Sequence, residues 1–155
     1  MKVQMRYLKT RTIAELAPSA SNYYNNAAKS MREMKTIGEE QQMLSEELRH
    51  RGVSDPHSFD LFVDGSSPVF GVDIREFDTT GFCSLQPLVS LHKIADQECL
   101  FAGFPKRGSL SSTIGMRKIE PALDAYCEQH KLTKTWSATE ETKDSIFSWL
   151  GIEKR

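Results

Sequence analysis

Residues 134–155 read Lys134-Thr135-Trp136-Ser137-Ala138-Thr139-Glu140-Glu141-Thr142-Lys143-Asp144-Ser145-Ile146-Phe147-Ser148-Trp149-Leu150-Gly151-Ile152-Glu153-Lys154-Arg155. This stretch decides the fold, because it is read as the last strand, helix and terminal strand that complete the order of elements. Lys134 to Ala138 has the composition of a strand. Ser137-Ala138-Thr139-Glu140 matches the S-x-x-E capping box, in which a hydroxyl and a carboxylate satisfy backbone N–H groups at a helix start. A helix carrying Ile146, Phe147, Trp149 and Leu150 is therefore predicted, closed by Gly151, with Ile152–Arg155 as a short last strand.

Upstream, Glu98 to Phe104 is a short apolar strand. It runs into Lys106-Arg107-Gly108-Ser109-Leu110-Ser111-Ser112-Thr113-Ile114-Gly115, read as a basic Gly/Ser loop. A helix with Ile119, Leu123 and Tyr126 on one face follows. Pro121 predicts a kink there, or a helix that starts near Glu120, because proline removes a hydrogen bond and clashes with the preceding turn. Residues 90–97 are ambiguous. Before them, 58–64, 69–78 and 82–89 read as a three-strand antiparallel meander. Its turns are Asp64-Gly65-Ser66-Ser67-Pro68 and Thr79-Thr80-Gly81. Gly71 within a strand marks a bulge or a close backbone approach.

Residues 22–51 carry helical stripes: Tyr24, Ala28, Met31 and Lys35, then Met34, Ile37, Gln41, Leu44 and Leu48. Two helices or one bent helix fit equally. Ser21 is a candidate N-cap and Gly52 a natural stop. Thr10 to Leu16 reads as a helical turn. Residues 2–8 alternate as a half-buried strand with Val3, Met5 and Tyr7 on one face.

The whole chain has 155 residues, 20 basic and 21 acidic, a net charge of -1, and 39% hydrophobic residues. That suits one domain spanning 1–155. The near-zero charge argues against bulk electrostatic binding to nucleic acid. Lys29, Arg32, Lys35, Arg49 and Arg51 are interleaved with Glu33, Glu39, Glu40, Glu46 and Glu47, so a solvated face is expected and no nucleic-acid partner. Cys83, Cys99 and Cys127 are read as reduced core thiols. No apolar h-region opens the chain and no 18-residue apolar run occurs, so a cytoplasmic protein without a membrane span is expected.

His50, His57, His92 and His130 are scattered without H-E-x-x-H spacing, so no metal site is expected. Ser/His/Asp and Walker-type motifs are absent. Asp73, Arg75 and Glu76 read as a solvated or ion-paired sheet face. Tyr126 reads as core.

The order of elements, the basic glycine loop and the ending Trp149-Leu150-Gly151-Ile152-Glu153-Lys154 resemble the GCN5-related N-acetyltransferase superfamily over nearly the whole chain. The resemblance implies an α+β (α/β mixed) domain: a mixed, largely antiparallel central sheet with helices on both faces. It implies acetyl transfer from acetyl-CoA to an amine acceptor, either a small molecule or a protein. Lys106, Arg107, Gly108, Ser111, Ser112 and Gly115 would hold the cofactor pyrophosphate, since free N–H groups at a helix start favour anions. Glu98 would be the catalytic base. The family's compact glycine spacing is absent, with Ser109 to Ile114 lying between Gly108 and Gly115. A second reading is therefore a non-catalytic, phage-type interaction or assembly protein that uses helices 22–51 as its contact surface.

Overall fold

The computed structural model describes residues 2–15, 31–66, 68–75 and 90–155. Eight strands form one sheet in the order β1-β6-β8-β7-β3-β4-β2-β5. They are β1 (Gln4–Leu8), β2 (Arg11–Glu15), β3 (His57–Val63), β4 (Val69–Asp73), β5 (Ser90–Ile94), β6 (Gln97–Pro105), β7 (Leu132–Glu141) and β8 (Ser145–Lys154). The two described helices are α1 (Met31–His50) and α2 (Ser109–His130). Every pairing between described strands is antiparallel. The Ser21 cap, the 76–89 part of the meander and the first helical stripe up to Ala28 lie outside the described residues.

Only Lys9 and Thr10 separate β1 from β2, yet six strand steps lie between them in the sheet. Laid flat, six steps would span about 29 Å. The three peptide units from Leu8 to Arg11 reach at most about 11 Å. The sheet must therefore curl until its two ends meet. Directly opposed residues share a face, and the register assigns each side chain to the inside or the outside of this curl. Leu8, Ile13, Phe59, Ile94, Cys99, Phe101, Ala138 and Trp149 form one buried cluster drawn from seven strands. Among the described residues no helix contributes to it, so this is the concave face.

Both described helices pack on the convex face, so among the described residues the expected helices on both faces are seen on one face only. Leu48 of α1 meets Ala14, Val72, Ile74 and Val53. Ile119, Leu123 and Cys127 of α2 meet Leu100, Ala102, Leu132 and Leu150. Gln41 on the inner stripe of α1 donates through Nε2 to Asp60 Oδ1 at 2.7 Å and to the Gly71 carbonyl at 3.0 Å. Gly52 follows α1 at φ 99°, and Val53 N donates to the Leu48 carbonyl, the reversal that a helix-ending glycine permits.

The largest correction concerns residues 139–150. They form a β-hairpin, not a capped helix. The turn is held by Thr142, whose N donates to the Ser145 carbonyl at 2.9 Å and whose Oγ1 accepts from Ser145 N at 3.1 Å. Ile146, Phe147, Trp149 and Leu150 fit a strand covered on both faces as well as they fit a helix. Here Phe147 and Trp149 face the curl while Leu150 faces α2. Gly151 leaves room for the Trp136 ring, which a Cβ at 151 would strike.

Three smaller readings also change. Residues 11–15 are strand β2 rather than a helical turn, paired between β4 and β5. In β1 the buried residue is Leu8, while Met5 and Tyr7 are 44% and 60% exposed, because among the described residues no helix covers them on the outer face of this edge strand. α2 begins at Ser109 and runs through Pro121, which sits on its solvent side, so the start near Glu120 is excluded. The close approach read from Gly71 is present: a Cβ there would collide with the Ala14 carbonyl oxygen.

Candidate functional site

Where the two ends of the sheet meet, the structure forms a half-open cavity of about 660 Å³. The β1–β2 link supplies Leu8, Lys9, Thr10 and Arg11 to its wall. The segment after α1 supplies Gly52 to Asp55, the end of β4 supplies Asp73 to Arg75, and β8 supplies Trp149. The volume lies within the range of small-molecule sites, roughly 300–1,000 Å³.

Behind the wall lies a buried ion cluster. The register places His57 opposite Asp73 and Phe59 opposite Glu140, so the three polar side chains share the concave face. His57 Nε2 is 2.9 Å from Glu140 Oε1 and 3.5 Å from Asp73 Oδ2. Arg11 pairs directly with Asp73 and reaches Glu140 Oε1 at 3.5 Å. Trp149 Nε1 donates to Glu140 Oε2 at 3.0 Å. Arg75 N, at a left-handed φ of 50°, donates to Asp73 Oδ1 at 2.8 Å. Asp73 has 0% of its surface exposed and Glu140 2%. Carboxylates so deeply buried require partners, and each has at least two.

The protonation logic follows from the donors. The Asp55 carbonyl can only accept, so His57 Nδ1 carries the proton of that 2.9 Å bond. Nε2 then needs a second proton to bond the ionised Glu140. Burial lowers the affinity of His57 for that proton. The hydrogen bond to Glu140, the charges of Glu140 and Asp73 and the Asp55 carbonyl outweigh burial and hold its pKa above 6.5. For Glu140, burial pushes the pKa up, but His57, Arg11 and the Trp149 N–H together hold it below 4.5. With His57 protonated the cluster holds two anions and two cations.

His57, Asp73 and Glu140 place ligating atoms within 4.8 Å of one another, so His57 is not the isolated histidine read from spacing. Arg11 already stands between the two carboxylates, in the position of a cation. Asp73 is an ion-paired residue, as one of the two sequence readings had it, but on a buried face.

The aromatic side of the site follows β6 and β8. Phe101 lies 4.7 Å from Trp149 and 5.2 Å from Phe147 between ring centroids. The Arg6 guanidinium sits 4.1 Å above the Phe101 ring, a cation–π contact.

The residues expected to bind cofactor lie elsewhere. Ser111, Ser112 and Gly115 belong to the first turns of α2 and not to a loop, and Gly115 is buried under the Phe104 ring. Gly108 stands at the helix start with φ 122°. Lys106 Nζ bonds the Thr142 carbonyl at 3.1 Å and Glu141 at 2.9 Å, tying it to the β7–β8 turn. Arg107 is exposed. Glu98 is exposed on β6, paired with Tyr7 of the edge strand and on the face opposite Cys99 and Phe101. The structure therefore brings Lys106 to the hairpin turn, the Ser111–Gly115 set to α2, and Glu98 to neither.

Of the site residues, Arg11, His57 and Glu140 were missed, and Trp149 was assigned to a helix. Only the pairing of four strands brings them together.

No protein-family model matches the chain, and no curated protein matches it in sequence. Solved structures do match in fold. The structure of SAV2435 bound to tetraphenylphosphonium aligns with a TM-score of 0.64 at 9% identity, covering 99% of this chain and 94% of that one. An integron cassette protein from Vibrio cholerae aligns at 0.60 and 7% identity, covering 97% and 95%. The C-terminal domain of EcmrR aligns at 0.57 and 10% identity, covering 99% and 98%. In the EcmrR–DNA complex the chain spans 58% of the EcmrR chain. A putative transcription regulation protein from Staphylococcus aureus matches as well. These neighbours are not acetyltransferases, and with the hairpin at 139–150 they overturn the acetyltransferase resemblance. No described helix is long and apolar enough to cross a membrane. What the chain shares with SAV2435, the integron cassette protein and the EcmrR C-terminal domain is this curled antiparallel sheet.

Proposed function

We propose that this chain is a small-molecule-binding domain whose cavity takes a lipophilic aromatic cation. The observation that carries the reading is Trp149, which lines the cavity while its indole N–H holds the buried carboxylate Glu140. An aromatic face backed by a negative charge attracts cations more strongly than either group alone. The same aromatic row already holds the Arg6 guanidinium over Phe101. Asp73 adds a second carboxylate directly in the wall. The fold neighbour SAV2435 is a structure bound to tetraphenylphosphonium, a ligand of this chemical class.

The non-catalytic alternative read from the sequence was an interaction or assembly protein with a protein partner; the present reading has a small molecule as the partner instead. EcmrR includes a domain of this fold in a chain seen on DNA, so regulation of a nucleic-acid-binding partner is a natural setting for such a site. Acetyl transfer from acetyl-CoA draws support from nothing beyond the open Gly108 end of α2.

The test uses two probes of nearly the same shape and opposite charge. Calorimetric titration with tetraphenylphosphonium is expected to show saturable binding, and tetraphenylborate none. Asp73→Asn should weaken the phosphonium by about tenfold, or about 1.4 kcal/mol. Equal binding of both ions, or of neither, overturns the reading.

A further inference from the structure

His57 is the one charged member of the ion cluster that can lose its charge near neutral pH. We propose that it is the specificity-determining residue of the cavity: a cationic ligand binds in exchange for the His57 Nε2 proton. This inference rests on the cavity being the ligand site.

The argument is geometric. Arg11 and His57 neutralise Asp73 and Glu140 from β2 and β3. Arg11 stays charged at any physiological pH. With Arg75 also 3.8 Å from Asp73, loss of the His57 proton lowers the charge of the cluster by one. An incoming cation favours that lower charge state. Asp73 and Trp149 touch both the cavity and the cluster, and Asp55 lines the cavity while its carbonyl holds His57 Nδ1. A charge placed in the cavity therefore acts on His57 across a single layer of side chains.

The proton balance is explicit. The Nε2–H bond breaks, the proton passes to solvent or buffer, and the electron pair stays on Nε2. His57 keeps Nδ1–H on the Asp55 carbonyl. Glu140 keeps Arg11 and the Trp149 N–H as its partners.

The groups that face His57 are Asp55 before β3, Asp73 on β4, Glu140 on β7 and Arg11 on β2, with Arg75 beyond Asp73 at 3.8 Å. Among these carboxyl groups, His57, Arg11 and the Trp149 N–H hold Glu140 below 4.5 against the effect of burial. Burial opposes the protonation of His57, and the Glu140 hydrogen bond and charge restore it above 6.5.

Calorimetry of tetraphenylphosphonium binding in phosphate and in Tris, between about pH 6 and pH 8.5, reads the exchange directly. Affinity is expected to rise with pH, by up to tenfold per unit. The heats in the two buffers should differ by the ionisation heat of up to one proton released. Nitrogen NMR of the His57 ring should show a doubly protonated imidazole in the free protein and an Nδ1–H tautomer in the complex. His57→Gln should bind with no pH dependence and no proton release. Binding without proton release, a ring unchanged on binding, or a His57→Gln variant that keeps the pH dependence overturns the exchange alone. Absence of phosphonium binding at every pH overturns both the exchange and the cation-site reading.

Discussion

The two faces of the sheet solve the burial problem in opposite ways. Under α2 the convex face is sealed by Leu100, Ala102, Ile119, Leu123, Leu132 and Leu150. Nothing there needs a specific partner, and stability follows from apolar area removed from water. On the concave face β2, β3, β4 and β7 bring Arg11, His57, Asp73 and Glu140 together, with no side chain more than 13% exposed. That arrangement is weak evidence for stability, since burying charge costs about as much as pairing it returns. A fold that could line its curl with leucine places an ion cluster there instead, beside the 660 Å³ cavity. The difference marks the concave face as the functional one and the convex face as its support.

The comparison breaks most severely at Arg11. Arg11→Ala leaves Asp73 buried without its direct partner, and a loss of about 3–5 kcal/mol is expected in urea unfolding at neutral pH. A loss below about 1 kcal/mol would show that the cluster is solvated and the distinction between the faces false. Leu100→Ala on the other face should cost about 3 kcal/mol through lost burial and a cavity. It should leave the pH dependence of stability and phosphonium binding unchanged. Coupling of this mutation to ligand affinity would dissolve the separation of the two faces.

The smallest effect concerns an exception on the convex side. Asp60 lies beneath α1 and accepts from Gln41 Nε2. Burial is the main cause that raises its pKa to about 6, against an ordinary 3.8, and the Gln41 bond opposes it. A folded-state pKa raised in this way means that the native state binds the proton more tightly than the unfolded chain. Stability from this group is therefore lost as pH rises from about 4 through 6. Asp60→Asn should stabilise the protein by about 1–2 kcal/mol near pH 8 and by almost nothing near pH 3.5. A gain of equal size at both pH values would assign the effect to packing and not to charge.

Particular residues show where the sequence was legible. Phe59 to Val63, Val69 to Asp73 and Glu98 to Phe104 read as strands because β-branched and aromatic residues are bounded by turn residues, and the Asp64–Gly65 turn needs its glycine at φ 80°. The inner stripe Ile37, Gln41, Leu44 and Leu48 read as helix because its steps of three and four fit no strand. Ile146 to Leu150 misled because a strand covered on both faces shows no alternation. The Ser137–Glu140 spacing met the capping pattern by coincidence, while Glu140 in fact serves the ion cluster.

The chain itself determined an α+β domain of short strands and amphipathic helices, since hydrophobic periodicity and turn chemistry act over a few residues. Tertiary structure alone decided the site. Arg11, His57, Asp73, Glu140 and Trp149 lie on five strands spread over some 140 positions. They meet because β8, β7, β3, β4 and β2 pair side by side, while the short Lys9–Thr10 link curls that sheet around them.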